Sequence, residues 1–233
     1  MWKRHTPLIL SLMLVIQGCF ASDAGKPNAS AKEDAEMSEQ LFQAVKEKDA
    51  KAVANIIKKG ADINAQDSNG RTPLMIATRR NDAATAKVLI DAGADVNIQD
   101  HIKDNPFLYA GAEGYLEILK LTIDAGADSK ITNRYGGTAL IPASEHGYVD
   151  VVKELLTRTD IDVNHVNNLG WTALLEAIIL NDGGLKQQQT VQLLIDHGAD
   201  VNIADRERVT PLQHAREKEF AEIERILVKA GAQ

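Results

Sequence analysis

The chain has 233 residues, 44% of them hydrophobic, and carries 26 Lys and Arg against 33 Asp and Glu, so its formal net charge is −7. Proteins that bind nucleic acids or anionic lipid headgroups need a positive surface, so this charge balance disfavours both classes of partner. The only cysteine, Cys19, excludes an intrachain disulfide.

Residues 1–18 have the composition of an export signal. Lys3 and Arg4 provide a charged start, and residues 8–16 form an apolar core of nine residues. Nine residues are too few to cross a bilayer as a helix, so we expect a processed signal peptide rather than a membrane anchor.

The end of this signal carries a second pattern. The segment Val15-Ile16-Gln17-Gly18-Cys19 resembles the lipobox of bacterial lipoproteins. In that family the cysteine is acylated and becomes the new N-terminus, which implies lipidation of Cys19 and a periplasmic protein tethered to the outer membrane. The alternative is ordinary cleavage after Ala21, which would leave a soluble periplasmic or secreted protein. Residues 19–37 contain few large apolar side chains, and we predict that they form a disordered tether.

The rest of the chain is organised by a recurring phrase. Gly-Ala-Asp-Val-Asn or a close variant ends successive segments, and its aspartate stands at positions 62, 95, 128, 162 and 200, giving steps of 33, 33, 34 and 38. A second phrase recurs in phase with it, as Thr72-Pro73-Leu74 and its counterparts that begin at residues 105, 138, 172 and 210. Two phrases with one period of about 33 residues predict a stacked-repeat protein.

Each repeat contains the signals of a helix pair. The Thr or Asn of the second phrase caps a first helix that has a small inward residue, and a second, apolar helix ends at a glycine that takes a left-handed conformation. In the fourth unit Asp160 occupies that glycine position, and Asp tolerates the conformation better than most residues. The aspartates of the recurring phrase are interpreted as turn residues.

These phrases resemble the ankyrin repeat, which pairs two helices with a β-hairpin tip. The resemblance covers residues 38–233 and implies an all-α repeat solenoid of six helix pairs, in which the first pair, beginning at Ser38, and the last are polar caps. The predicted pairs are 38–60, 72–93, 105–126, 138–160, 172–198 and 210–231. The third unit has Lys103-Asp104-Asn105 where Gly-x-Thr is usual, which predicts an irregular tip. Five extra residues in the fifth unit predict an insertion within 181–189.

No catalytic motif is present: the sequence lacks HExxH, GxSxG, CxxC and phosphate-loop patterns. We therefore predict no enzyme activity, no cofactor and no metal site, and we interpret the scattered histidines as turn residues bonded to backbone.

The resemblance implies that tips and first helices line a concave face that binds a protein partner. Mapping the repeat positions predicts an apolar, aromatic patch from units four and five, and a smaller basic spot in unit two. The patch comprises Tyr135, Leu169, Trp171, Ile179 and Leu180, and the basic spot comprises Arg71, Arg79 and Arg80.

The sequence thus predicts a monomeric, non-enzymatic binding module of the bacterial envelope. One form of this role is an immunity protein that inhibits a toxic effector. The alternatives are an accessory scaffold for a periplasmic enzyme such as a stress-defence catalase, and a structural envelope protein without a dedicated client.

Overall fold

A computed structural model describes residues 29–233, and the signal peptide, Cys19 and most of the predicted tether lie outside that range. Twelve helices in the described range form six helix–turn–helix pairs, as predicted, and none of its residues lies in a β-strand. The pairs are α1 (Ala29–Lys46) with α2 (Ala50–Lys58), α3 (Pro73–Arg79) with α4 (Ala83–Asp91), α5 (Pro106–Glu113) with α6 (Leu116–Asp124), α7 (Leu140–Glu145) with α8 (Val149–Arg158), α9 (Ala173–Ile179) with α10 (Leu185–Asp196), and α11 (Pro211–Glu217) with α12 (Ala221–Lys229).

The helices stack in two layers. Each first helix contacts the first helix of the next pair, from α1 to α11, and each second helix does the same, from α2 to α12. The inward alanine of the first helix is fully buried in all five later pairs, at residues 77, 110, 143, 177 and 215. Helix α5 approaches the start of the fourth unit so closely that a Cβ on Gly111 would lie 2.9 Å from Cβ of Ala139. Small residues therefore set the spacing of the first layer.

Helix capping follows the prediction in four of five repeats. The side chains of Thr72, Asn105 and Thr172 accept the expected N–H bonds at 2.8–3.2 Å, and Thr210 forms a full capping box. The prediction for Thr138 was wrong, because α7 begins at Leu140 and the buried Thr138 hydroxyl has no hydrogen-bond partner within residues 29–233. Pro142 explains the difference. It has no N–H for the first turn, and the Ile141 N–H instead bonds to the Thr138 carbonyl at 3.3 Å.

The ends of the second helices differ from prediction in the fourth unit only. The glycines at 60, 93, 126, 198 and 231 have the left-handed φ values that were expected, between +82° and +99°. Asp160 does not have a left-handed φ value, so the prediction that it would replace the glycine in this conformation was wrong. Helix α8 ends at Arg158, and the extended Thr159 donates its hydroxyl to the Leu155 carbonyl at 2.7 Å and accepts the Ile161 N–H at 3.3 Å. The threonine hydroxyl therefore satisfies the helix end without a left-handed residue.

Helix α1 begins nine residues before the predicted start, so the helix includes residues 29–37 of the predicted tether. Ala, Lys and Glu dominate that stretch and favour helix, and Lys32 and Glu36 pair one turn apart at 3.7 Å. Ser38 lies within the helix and donates its hydroxyl to the Asp34 carbonyl at 2.9 Å. Among the described helices, none is long and apolar enough to traverse a bilayer.

The tips are tight turns, and an Asp or Asn at the same position holds four of them. Asp67, Asp100, Asn133 and Asn167 each accept two backbone N–H bonds on a single side-chain oxygen, at 2.8–3.0 Å. The third tip is regular, contrary to prediction, because Lys103 adopts the left-handed conformation (φ +63°) that glycine takes in other tips. Each tip therefore projects its exposed residues in the same way.

The recurring phrase joins neighbouring repeats. Its aspartates accept the N–H two residues on, as predicted for turn residues, for example Asp62 from Asn64 at 2.9 Å. Its asparagines reach the next repeat, where Asn64 accepts the Asp95 N–H at 3.0 Å and Asn164 accepts the Asp200 N–H at 2.8 Å. These side chains link successive turns and fix the register of the stack.

The insertion lies in the fifth unit, as predicted. Two extra residues lengthen the turn between α9 and α10, and three extend α10 to 12 residues from the 9 of α4. Asn181 ties the turn to the previous repeat by donating to the Glu145 carbonyl at 2.7 Å, and Gln187 donates to Asn181 Oδ1 at 2.9 Å. The insertion is therefore packed against α7.

Candidate functional site

A groove of about 450 Å³ lies on the face formed by the tips and first helices of units three to five, which we call the inner groove. Seven large apolar side chains are exposed within residues 29–233, and four of them line this groove: Ile102 (46% exposed), Tyr135 (53%), Leu169 (49%) and Leu180 (48%). Apolar exposure on the described surface is thus concentrated at one concave place, which is typical of a contact site.

The repeat geometry explains why these residues meet. Ile102, Tyr135 and Leu169 occupy the same tip position in three successive units, where the second and sixth units carry the polar Asn69 and Glu207. Because adjacent tips have the same backbone, the three apolar side chains stand in a row.

One position in the lining of the groove has no side chain. Gly137 lines it, and the equivalent positions of the other units carry Arg71, Asp104, Trp171 and Val209. A Cβ on Gly137 would make only ordinary contacts, the nearest at 3.5 Å to Oδ1 of Asn133. Glycine at this position therefore leaves open a space that other repeats fill.

The structure brings together most of the predicted patch. Tyr135, Leu169, Trp171 and Leu180 all line the inner groove, with Trp171 half-buried. Ile179 does not line it: this last residue of α9 is half-buried and lies outside the groove. The patch is therefore smaller than predicted and extends further into unit three, through Ile102.

The predicted basic residues also converge, but their charges are not equally available. Arg71, Arg79 and Arg80 line a depression of about 290 Å³ together with Lys46. Arg71 donates two bonds to Asp67 Oδ2, at 2.9 and 2.7 Å, and the guanidinium of Arg79 lies 4.6 Å from the ring centroid of Tyr109. Arg79 also lines the inner groove. The basic spot therefore borders the unit-three end of the groove.

Charges divide the inner groove into two ends. At the unit-three end, Arg134 lies 3.8 Å from Asp104 and stacks on the Tyr135 ring at 4.5 Å. Burial, together with the negative charge of Asp100, raises the pKa of Asp104, and the positive charges of Arg134 and Arg79 oppose this. Acidic and basic groups thus balance at this end.

The other end is acidic. Glu145 and Glu176 both line it, and neither forms an ion pair with any residue of the described chain. Glu176 is only 6% exposed, and its carboxyl receives one hydrogen bond from residues 29–233, from Asn167 Nδ2 to Oε1 at 2.7 Å. Burial and the charge of Glu145 raise the pKa of Glu176 to about 7, against the lowering effect of the Asn167 bond.

Sequence reasoning missed Glu176, Tyr109 and Asn167 as groove residues. Glu176 was detectable, because it interrupts the apolar run Leu174-Leu175-Glu176-Ala177-Ile178 at a position where the second and third units have Ile76 and Tyr109. Asn167 shares the turn-holding position of Asp67. It differs in that its side-chain amide is free to donate to Glu176.

Other surfaces of the described residues offer weaker candidates. An open groove of about 800 Å³ between α8 and α10 is lined by charged residues such as Lys153, Lys186 and Asp196 and by apolar residues such as Leu116, Tyr148 and Leu193, but none of the exposed large apolar side chains lies in it. No group of three or more His, Cys, Asp or Glu side chains within residues 29–233 could hold a metal ion. His165 and His197 bond to backbone carbonyls at 2.6 and 2.8 Å as predicted, whereas His214 contacts Asp205 Oδ2 at 2.7 Å.

Comparison with known families covers almost the whole described chain. Residues 25–100, 41–133, 107–205 and 162–233 each match the family described as "Ankyrin repeats (3 copies)". An ankyrin repeat protein of Escherichia coli strain K12, YahD, is 58% identical over 80 residues, which are 34% of this chain and 40% of that protein. The match thus spans less than half the length of that relative.

Solved structures of ankyrin repeat proteins match a larger share of this chain. An ankyrin repeat domain from Acinetobacter baumannii AYE is 53% identical with a TM-score of 0.81, covering 83% of this chain and 98% of that one. The ankyrin repeat protein EF0377 is 42% identical with a TM-score of 0.80, covering 82% and 98%. The ankyrin repeat domain of Bcl-3, described as a member of the IkappaB family, is 25% identical with a TM-score of 0.74, covering 83% and 86%.

Proposed function

Because the chain belongs to the ankyrin repeat family, whose repeats are generally protein–protein interaction modules, we propose that it binds a protein partner in the inner groove. The observation that carries this proposal is the gathering of Ile102, Tyr135, Leu169 and Leu180, four of the seven exposed large apolar side chains, in one groove. Tyr and Trp side chains in well-packed pockets are frequent anchors of protein interfaces, and Tyr135 and Trp171 both line this groove. The mechanism is non-catalytic: a rigid stack presents a preformed surface, which limits the ordering cost of binding.

Two variants test the groove in different ways. Trp171→Ala with Leu180→Asp removes two lining side chains and adds a charge, whereas Gly137→Leu fills the open space and leaves the lining residues in place. The backbone tolerates a side chain at position 137, because the equivalent positions carry Arg71, Asp104, Trp171 and Val209. We expect both variants to lose the partner while the thermal midpoint stays close to that of the wild-type protein.

The measurement is affinity capture from native envelope extract with wild type, both variants and a control, Val228→Ser, which changes an exposed apolar residue outside the groove. A stoichiometric protein that is captured by wild type and control but not by either groove variant supports the proposal. Equal capture by all four proteins would refute it. A large fall in the midpoint of the double variant alone would leave Gly137→Leu as the decisive comparison.

The location of the protein is part of the same proposal. The charged start and short apolar core of residues 1–18 favour export, and the lipobox-like segment that ends at Cys19 favours a lipid tether to the outer membrane. Cleavage after Ala21 is the alternative and would give a soluble periplasmic or secreted protein.

The role of this protein toward a partner could take three forms. An immunity protein would occlude a toxic effector, an accessory protein would support a periplasmic enzyme such as a stress-defence catalase, and a structural envelope protein would have no dedicated client. The groove favours the first two over the third, because a groove that gathers four of the seven exposed large apolar side chains of the described residues fits a dedicated partner better than many weak ones. Neighbouring genes distinguish them: a secreted toxin indicates immunity, and a catalase indicates the accessory role.

A further inference from the structure

We propose that the partner inserts a lysine or arginine side chain into the inner groove, with its cation between Glu145 and Glu176 and its aliphatic part against Trp171, Tyr135 and Leu180. This inference rests on the proposed function and specifies the chemistry of the occupant. Three parts of the groove support it: a buried carboxyl with one unpaired oxygen, an asymmetric charge distribution, and an apolar surface in the same groove.

The first part is the state of Glu176. Its side chain is more than nine-tenths buried, yet one of its two carboxyl oxygens, Oε2, receives no hydrogen bond from residues 29–233. An ionised carboxylate has about four acceptor positions, and Oε2 is not among the fully enclosed polar atoms of the described residues. Because Glu176 lines the groove, a donor that enters the groove can reach the open oxygen.

The second part is the absence of a cation at this end. The arginines of the groove, Arg79 and Arg134, are engaged with Tyr109, Asp104 and Tyr135 at the unit-three end. Glu145 and Glu176 lie close enough that the charge of Glu145 raises the pKa of Glu176. A cation between two carboxylates relieves their mutual repulsion and satisfies both, so this end favours a basic group over a neutral or acidic one.

The third part is the shape of the opening. Trp171, Tyr135 and Leu180 add apolar surface to the groove that the two glutamates line, and Leu180 follows Glu176 by one helical turn. Long basic side chains match such a surface, because their methylene stems pack on apolar atoms while the charged end reaches a polar site. Aromatic rings add cation–π attraction, for which Trp is the most favourable residue. A small cation such as a metal ion would leave this apolar surface unused.

The experiment uses a random peptide library displayed on phage, selected against the purified full-length protein. Selection is repeated on Gly137→Leu, which fills the open space of the groove without changing its charge, so that peptides bound elsewhere are removed. Enriched peptides are then synthesised, and their affinities are measured by calorimetry beside versions in which each basic residue is replaced by norleucine. Each peptide is also measured against Glu176→Gln and against Glu113→Gln, which removes the same charge from the other end of the groove.

We expect groove-dependent peptides to share one essential Lys or Arg. Its replacement by norleucine, or Glu176→Gln in the protein, should weaken binding by about tenfold or more, and the two changes together should cost little more than either alone. Glu113→Gln should have a much smaller effect.

Two results would overturn the inference, and they differ in what else they affect. Peptides that lose binding with Gly137→Leu but contain no essential basic residue, or that lose equal affinity with Glu113→Gln and Glu176→Gln, would reject the basic occupant and leave the groove as a docking site. The absence of any groove-dependent peptide would count against the occupant and the proposed function together.

Discussion

Glu176 gives the most quantitative prediction, because its burial links protein stability to pH. The pKa of this carboxyl rises from an ordinary 4.5 to about 7 in the folded protein. Below pH 4.5 the group is protonated in both the folded and unfolded chain, so it contributes no penalty. As the pH rises towards 7, the unfolded chain releases the proton while the folded chain retains it. The folded state is therefore progressively destabilised over this interval, and the loss is complete above pH 7.

The size of the loss follows from the pKa difference. A pKa difference of one unit corresponds to about 1.4 kcal/mol. A carboxyl whose pKa moves from 4.5 in the unfolded chain to about 7 in the folded protein therefore removes roughly 3 kcal/mol from the free energy of unfolding. Glu176→Gln abolishes this dependence and keeps an acceptor for the Asn167 amide. We expect the variant to match wild type near pH 5 and to be more stable by up to about 3 kcal/mol near pH 8.

Urea unfolding of wild type and Glu176→Gln across this pH range measures the difference between their free energies of unfolding directly, because the other titrating groups are shared and cancel. Glu145→Gln should reduce the effect, since the Glu145 charge is the second cause of the raised pKa, and Glu113→Gln should leave it unchanged. If the free energies of unfolding of wild type and Glu176→Gln change in parallel between pH 5 and 8, then Glu176 ionises normally in the folded protein and burial does not raise its pKa.

Two further predictions concern capping and location. Thr138→Val should be neutral or stabilising, because the buried hydroxyl of Thr138 has no partner within residues 29–233. Thr72→Val should instead cost about 1 kcal/mol of stability, because it removes the bond to the Met75 N–H. Equal losses of stability for the two variants in urea unfolding would contradict this assignment of the caps. Cys19→Ala should move the protein from the membrane to the soluble periplasmic fraction, as followed by immunoblotting, and unchanged fractionation would exclude lipidation at this residue.

The repeat architecture could be predicted because its signals are local and recur. Gly60 and its counterparts, and the caps at Thr72, Asn105, Thr172 and Thr210, depend on residues within one turn. The exceptions depend on a neighbouring side chain that overrides the local signal. Pro142 alters the first turn of α7, and the Thr159 hydroxyl replaces a left-handed residue at the end of α8. A pattern common to all repeats does not reveal such single substitutions.

The candidate site was only partly predictable, for a different reason. Repeat positions identify which side chains share a face, and so Tyr135, Leu169, Trp171 and Leu180 were found together. The position of Gly137 in the repeat does not by itself show that a groove forms there. The groove exists because Gly137 leaves a gap between neighbouring units, and this gap is visible only once the units are stacked. Glu176 was missed because the repeat pattern assigns its position to packing rather than to recognition.

Several departures from the repeat coincide with the proposed binding groove. A stacked-repeat backbone holds equivalent positions in equivalent places, so residues that differ from their counterparts change the surface at one place in the stack. The departures at Tyr135, Gly137, Leu169 and Glu176 all lie in units four and five and all line one groove. A buried carboxyl without a cation reduces stability near neutral pH, which packing alone would not favour. Recognition of a basic group accounts for that cost, because the bound cation would stabilise the ionised form that the free protein disfavours.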